Sequence, residues 1–489
     1  ALGAGAPKAR AAEECIARIR RQRGLDLDLS GLPEAVAASA RAMQRSLGAA
    51  VERLSQDLYT SRSHFMLELI QNADDNAYAE GTCPRLELSV AAQPPVGCGA
   101  DNAGLYFASV NNEAGLTPQD VDALCDINRT AKHGRAGQIG KKGVGWKSVF
   151  VVSDCPTVLS GHFQFRFNVH ELGRLAYVTP EPLREEDLVD TIPSPLLERH
   201  RSDDDQRPTV LYLPLRPHGG DQTLGLIRAG AERLIACPAW LLFLRRLRCV
   251  VWDDRASATP CRIALERSGD CIEVRRWQTP PQPEDGACPG SVLAHRYLVH
   301  RRLVVAPPGL CGGDASGQQE IAIAFRSGPH AGESGHDALD GGAADESPVF
   351  CFLPVRSVGF RFLLHAPWVL TSNREDWHLE NPWNMWLRDA AADALAEAIE
   401  RFGAEFQGDA VALLDARRVL DPFWRLLLQR AAAALGDAPI VPVEGPGEEL
   451  ARPSQVLVPP AILLQSRRTV QFLRLVPAEL WQAATGKRL

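Results

Sequence analysis

The sequence holds no Cys-x-x-Cys pair among its 12 cysteines, so neither a zinc site nor a disulfide framework is expected. Scattered thiols of this kind fit a reducing intracellular compartment, nucleus or cytoplasm. No apolar run approaches the roughly 20 residues of a membrane span, and no membrane partner is expected. The opening residues, Ala1 to Arg10, lack the long apolar core of a secretion signal. The chain starts with Ala, not Met, so an upstream segment and any targeting signal in it stay open. An excess of basic charge is also absent: Lys and Arg number 53 against 60 Asp and Glu, a net charge of −7. That balance gives no general drive toward nucleic acid. What remains is an ordinary globular composition, 45% hydrophobic and 23% charged over 489 residues, enough for several domains.

The most informative stretch is His64 to Asn76, read as a helix. Phe65, Leu69 and Ala73 fall four apart on an apolar stripe. Glu68, Asn72 and Asp75 share a second, polar face. A carboxylate one turn from an amide oxygen suits a hydrated metal–phosphate site: the amide can ligate Mg²⁺, and the carboxylate can orient or deprotonate a water. The alternative is a surface helix with a solvated acidic face.

Around it, residues 1–55 read as Ala-rich helices, with Val36, Met43, Leu47, Val51 and Leu54 on one stripe. Arg85 to Val90 and Leu105 to Val110 read as paired strands. Thr117-Pro118-Gln119-Asp120 has the chemistry of a helix start, and that helix is expected to end near Asn128. The polar, basic segment Arg129 to Gln138 is either a mobile lid or a surface loop. It leads into Ile139-Gly140-Lys141-Lys142-Gly143-Val144-Gly145-Trp146-Lys147-Ser148-Val149-Phe150. Gly-x-x-Gly-x-Gly entering an apolar helix offers bare backbone N–H groups at a positive helix end, a phosphate cradle. Phe163, Phe165 and Phe167 alternate as in a half-buried strand, and Thr209 to Leu215 is another strand. This order predicts an α+β two-layer sandwich, helices on one face of a mixed sheet.

Glu68-Leu69-Ile70-Gln71-Asn72-Ala73-Asp74-Asp75-Asn76 and the glycine box, about 70 residues apart, resemble two ATP boxes of the GHKL superfamily (gyrase, heat-shock chaperone, histidine kinase, MutL). The wording is most similar to the sacsin/NO VEIN branch. Leu58-Tyr59, Asn111-Asn112-Glu113-Ala114-Gly115-Leu116 and Ala123-Leu124-Cys125-Asp126 share it. The resemblance is strong over about residues 50–215 and softer beyond. It implies a Bergerat-type histidine kinase-like ATPase fold with ATP and Mg²⁺ as ligands. Glu68 matches the catalytic carboxylate and Asn72 the Mg²⁺ ligand. Asn111 matches the group that holds the adenine amino group, and Gly115 follows it in the same motif. Gly140, Gly143, Val144 and Gly145 match the phosphate loop, Thr209 the threonine closing the adenine pocket, and Lys132 a lid residue reaching a phosphate. Two departures stand out. Asn111 replaces the usual Asp, which removes a charge from that hydrogen bond. Glu113 replaces a glycine.

Residues 219–405 read as a second α+β domain with Gly-, Ala-, Ser- and Asp-rich insertions at Cys311 to Gln318 and Ser327 to Ser347. Within it, Leu370-Thr371-Ser372-Asn373-Arg374-Glu375-Asp376-Trp377 is similar to a chaperone middle-domain segment whose Arg reaches the ATP γ-phosphate. Arg374 is the candidate for that role; the alternative is that it pairs with Glu375 or caps a helix. A helix carrying Trp383, Leu387, Ala391, Leu395 and Ile399 follows. Residues 406–489 hold another helix around Trp424 and two short strands, Pro439 to Val443 and Gln455 to Val458.

Two functions follow from the resemblance. One is an ATP-binding and ATP-hydrolysing conformational module, chaperone-like or scaffold-remodelling, acting with protein partners the sequence does not name. The other is a non-catalytic nucleotide-sensing or interaction module with the same fold. A histidine kinase is disfavoured because no His precedes His64 on the N-terminal helices.

Overall fold

A computed structural model describes residues 5–26, 33–58, 64–92, 104–126, 145–201, 207–216, 220–257, 259–277, 291–310, 318–327, 347–371, 374–406, 413–438, 441–442 and 450–452. The fold is mixed α+β. By its contacts the chain divides into two units, residues 1–268 with 272–294, and residues 269–271 with 295–489.

The first unit begins with helices α1 (Gly5–Gln22), α2 (Glu34–Leu58) and α3 (His64–Asp75). Strands β1 (Arg85–Ala92) and β2 (Leu105–Asn111) and helix α4 (Pro118–Leu124) follow. A 3-10 helix then spans Gly145–Val151. Next come β3 (Thr157–Ser160), β4 (Phe163–Arg166), α5 (Val169–Leu172), β5 (Glu181–Pro182), α6 (Glu185–Thr191), α7 (Ser194–Arg201) and β6 (Thr209–Pro214). The unit closes with α8 (Gly220–Ala236), β7 (Cys249–Asp254), β8 (Cys261–Ser268) and β9 (Cys271–Trp277). Its strands lie in the order β9-β8-β7-β1-β2-β6-β3-β4-β5. β1 runs parallel to β7 and antiparallel to β2, so the sheet is mixed.

The register assigns side chains to faces, because partners across a ladder point the same way and neighbours along a strand alternate. Tyr106, Ala108 and Val110 of β2 share one face with Tyr212 and Val210 of β6. There they form a buried cluster with Leu188 and Ile192 at α6 and Leu196 and Leu197 of α7. Phe107 and Asn111 point to the other face, where the Phe107 ring meets Phe65 of α3 edge-on at 5.0 Å. Helices therefore pack against both faces of this part of the sheet. The helices α6 and α7 are hard to see in sequence because they are short and rich in charge, with only a few apolar side chains facing the sheet.

Other details also differ. On α2, Val36 is 50% and Met43 72% exposed and Leu47 is half-buried, so these three do not form a buried stripe; the side chains of Val51 and Leu54 lie outside the described residues. Ala37 and Gly48 are buried instead. A Cβ on Gly48 would stand 2.8 Å from Arg174 Cβ and 2.9 Å from its carbonyl carbon, so a bare Cα is what lets this helix approach. α4 starts with the expected capping box of Thr117 and Asp120 but ends at Leu124. The element after the glycine box is 3-10, with Trp146, Lys147, Ser148, Val149 and Phe150 all buried. Strand β7 extends the sheet of the first unit alongside β1.

In the second unit, β10 (Ser291–Val305, from His295 on), β11 (Gln318–Ser327), β12 (Ser347–Cys351), β13 (Leu353–Phe360) and β14 (Leu363–His365) order as β13-β12-β14-β11-β10. Helices α9 (Pro382–Phe402) and α10 (Pro422–Ala434) follow. Trp424 of α10 is fully buried, with Phe360, Trp368 and Trp377 edge-on to it at 5.8, 5.1 and 4.9 Å. β15 (Val441–Pro442) pairs with β16 (Leu450–Ala451), earlier than the second strand expected at 455–458, which lies outside the described residues along with most of both insertions. Among the described residues no helix is long and apolar enough to cross a membrane.

Candidate functional site

Helix α3 is buried nearly all round. Between residues 65 and 75 only Leu67 and Asn72 are half-buried, and the rest are buried. A solvated acidic face is thereby excluded: Glu68 is 9%, Asp74 1% and Asp75 5% exposed. Asp74 has a structural task. Its carboxylate accepts the backbone N–H groups of Arg245, Arg246 and Leu247 at 2.9, 2.8 and 2.9 Å, tying α3 to the segment that enters β7. Asn72, one turn from Glu68, is half-buried.

Gly145 lies directly against Glu68. A Cβ placed on Gly145 would stand 2.1 Å from Glu68 Oε2 and 2.9 Å from its Cδ. No side chain fits there while the carboxylate keeps its place. The 3-10 helix that starts at Gly145 is held by aromatic packing, with Trp146 and Phe150 against Phe167 at 5.7 and 5.9 Å. Its Lys147 is fully buried; the ammonium donates to the Leu124 carbonyl at the end of α4, and burial pulls its pKa down to about 8.

A second polar group sits at the ends of β2, β3 and β6, on the sheet face that meets α3. Asn111 pairs in register with Thr209. Thr209 Oγ1 is 2.5 Å from Ser160 Oγ, and that hydroxyl accepts the N–H of Leu116 at 2.8 Å. Gly115, in the left-handed region at φ +89°, makes the turn that brings this N–H to Ser160. The Asn111 amide lies 3.0 Å from Tyr78 Oη, which is also 2.7 Å from the Ala73 carbonyl oxygen on α3. Burial pushes the Tyr78 phenol well above its ordinary pKa, so it stays protonated. The neighbouring Asn112 is occupied in the sheet, accepting from Arg85 N–H at 2.7 Å and donating to the Cys83 carbonyl at 2.9 Å. Glu113 is buried.

The first unit thus brings Glu68 to Gly145, and Asn111, Gly115 and Thr209 to one another; Asn111 reaches α3 through Tyr78, beside Asn72. Lys132, Gly140, Gly143 and Val144 lie outside the described residues. Arg374 belongs to the second unit. It sits in a tight loop closed by the Leu370–Trp377 bridge, at φ +59°, with its N–H donating to the Thr371 carbonyl at 3.0 Å. From α9 the Asn384 amide clamps this loop, accepting from Val369 N–H and donating to the Val369 and His378 carbonyls. Sequence reasoning missed Tyr78 and Ser160. Ser160 ends a strand, and Tyr78 follows α3 in a polar turn; neither lies in a motif.

A family model described as the Sacsin domain matches residues 51–171. The chain is 33% identical over 392 residues to Protein NO VEIN of Arabidopsis thaliana, covering 78% of this chain and 13% of that protein. It is 32% identical over 113 residues to human sacsin, covering 21% of this chain and 2% of that protein. The chain therefore spans a small part of the length of either relative. Among solved structures, one described as the N-terminal domain of a DNA repair protein aligns with a TM-score of 0.34 and 10% identity, over 65% of this chain and 88% of that one. That score is too low to bear on fold or function. Both in its domain match and in its relatives, the chain is sacsin/NO VEIN-like in sequence.

Proposed function

We propose that the first unit is a GHKL-type nucleotide module that binds ATP with Mg²⁺ and hydrolyses it, coupling turnover to a chaperone-like or scaffold-remodelling change in protein partners. The observation that carries the reading is the close approach of Gly145 to Glu68. A glycine whose missing side chain is matched to a carboxylate leaves that carboxylate facing the backbone at the start of the 3-10 helix. That is the setting in which a phosphate and an attacking water could be held together.

The residues present fit the absent ligands. Asn72 supplies an uncharged oxygen from a half-buried position on a largely buried helix. Mg²⁺ bound through one amide oxygen, waters and phosphates needs no cluster of protein carboxylates. Among the described residues no such cluster of three His, Cys, Asp or Glu exists. When bound, the ion would neutralise phosphate charge. Glu68 would orient the water and take its proton. Asn111 and Thr209 would face the base, and the N–H groups of the glycine box, with Lys132, would take the phosphates. Positioning and fixed dipoles would supply most of the rate.

The second reading keeps nucleotide binding without useful turnover. It is favoured by the neutral amide of Asn111 and by a buried glutamate at 113. Single-turnover hydrolysis of ATP by the wild-type chain and by Glu68→Ala separates the two. A loss of rate in the variant supports the enzyme, and equal rates leave only the sensing module.

A further inference from the structure

The contacts of Tyr78 decide which end of the Asn111 amide is offered to a ligand. Tyr78 Oη lies 2.7 Å from the Ala73 carbonyl oxygen and 3.0 Å from Asn111 Oδ1. Two oxygens 2.7 Å apart need a hydrogen between them, and a carbonyl has none to give. The single phenolic proton therefore goes to Ala73. An amide oxygen turned toward Tyr78 would then face a lone pair. An amide nitrogen in that place donates to Oη and satisfies both groups. The two ends of an Asn amide are distinguished by such networks and not by shape.

We propose that Tyr78 fixes Asn111 with its NH₂ toward the phenol and its oxygen toward the ligand, making Tyr78 the positioning residue that selects a 6-amino purine over a 6-oxo purine. The proposal rests on the nucleotide reading above. The oxygen so presented accepts from the exocyclic amino group of adenine. A 6-oxo base would bring a second acceptor to the same point and leave both unpaired, which costs roughly tenfold or more in affinity. Burial keeps the phenol protonated, so the arrangement holds across the physiological pH range. Asn111 itself is 5% exposed and sits at the end of β2, opposite Thr209, where the sheet limits its freedom.

Two measurements on the full 489-residue chain test this. The first is calorimetric titration with ATP and with inosine triphosphate, which differ at the 6-position of the base. Wild type prefers ATP by roughly tenfold or more. Tyr78→Phe keeps the ring, frees the amide to turn, and brings the two affinities to within a few-fold. Asn111→Asp added to Tyr78→Phe restores the preference, since a carboxylate accepts in either orientation. An unchanged ATP-to-inosine triphosphate ratio in Tyr78→Phe overturns the proposal and leaves the nucleotide reading standing. No binding of either nucleotide by wild type overturns both. The second measurement needs no ligand. With Tyr78 present, Asn111→Asp sets an oxygen against Oη and lowers the melting temperature; in the Tyr78→Phe background it lowers it much less. Equal shifts in the two backgrounds mean that the amide faces Tyr78 with its oxygen, and overturn the proposal.

Discussion

The Cα of Gly145 and the carboxylate of Glu68 are in such close apposition that a methyl group on the glycine would overlap Oε2, at 2.1 Å. The two residues lie 77 positions apart, one inside α3 and one opening the 3-10 helix. Each is conditional on the other: the carboxylate keeps its position because the glycine has no side chain.

Gly145→Ala is therefore expected to move the Glu68 carboxylate without unfolding the chain. A misplaced general base loses about 10²-fold in rate. Single-turnover ATP hydrolysis should fall to that extent while ATP affinity stays within a few-fold and far-ultraviolet circular dichroism is unchanged. Full activity in the alanine variant would separate Glu68 from the chemistry.

Glu87 on β1 ties the sheet to α7. Its buried carboxylate accepts from Arg199 at 2.6 and 3.0 Å, with Arg262 at 3.5 Å and Arg85 at 3.7 Å. Burial alone would raise its pKa; the Arg199 bonds and the charges of Arg262 and Arg85 outweigh burial and lower it. A carboxyl depressed in the folded state stabilises above its unfolded pKa, and that contribution is lost as pH falls through the folded value. Arg199→Met should cost about 2 kcal/mol at pH 7, less than a fully orphaned buried charge because two arginines remain. Urea midpoints of variant and wild type should converge as pH drops below the carboxylate range; a gap independent of pH would contradict the account.

Lys147 gives the opposite sign. Its folded pKa of about 8 lies below the ordinary 10.5, so between those values the unfolded chain binds more protons and stability from this residue rises with pH. Lys147→Met removes the term. Relative to wild type, its stability should be highest below pH 8 and fall by on the order of 2–3 kcal/mol toward pH 10. Parallel urea-midpoint profiles for the two proteins would show that the ammonium carries no burial penalty.

What could be read from the sequence was local. The apolar spacing of Phe65, Leu69 and Ala73 identified α3, and Thr117 with Asp120 identified the start of α4, because periodicity and capping act within a turn or two. The β1–β2 pair and β6 followed from runs bounded by turn residues. What escaped depends on contacts far apart in sequence. The parallel pairing of Arg85 with Cys249 has no local signature. Among the described side chains of α2 the buried positions are Ala37 and Gly48, which a search for large apolar residues passes over. Tyr78 meets Asn111 across 33 positions, and Ser160 meets Thr209 across 49, with no spacing rule to announce either. Within the candidate site the motif wording pointed to Glu68, Asn111, Gly145 and Thr209 but to neither Tyr78 nor Ser160, which contact Asn111 and Thr209.

Whether Mg²⁺ and ATP meet on α3 at Asn72 is decided by calorimetry of ATP binding to wild type and Asn72→Ala, each with Mg²⁺ and with the metal removed by EDTA. Mg²⁺ should tighten ATP binding to wild type by roughly tenfold and leave Asn72→Ala almost unaffected, the two proteins becoming equal in EDTA. No heat with Mg²⁺ and ATP, or an equal Mg²⁺ effect in both proteins, would contradict it.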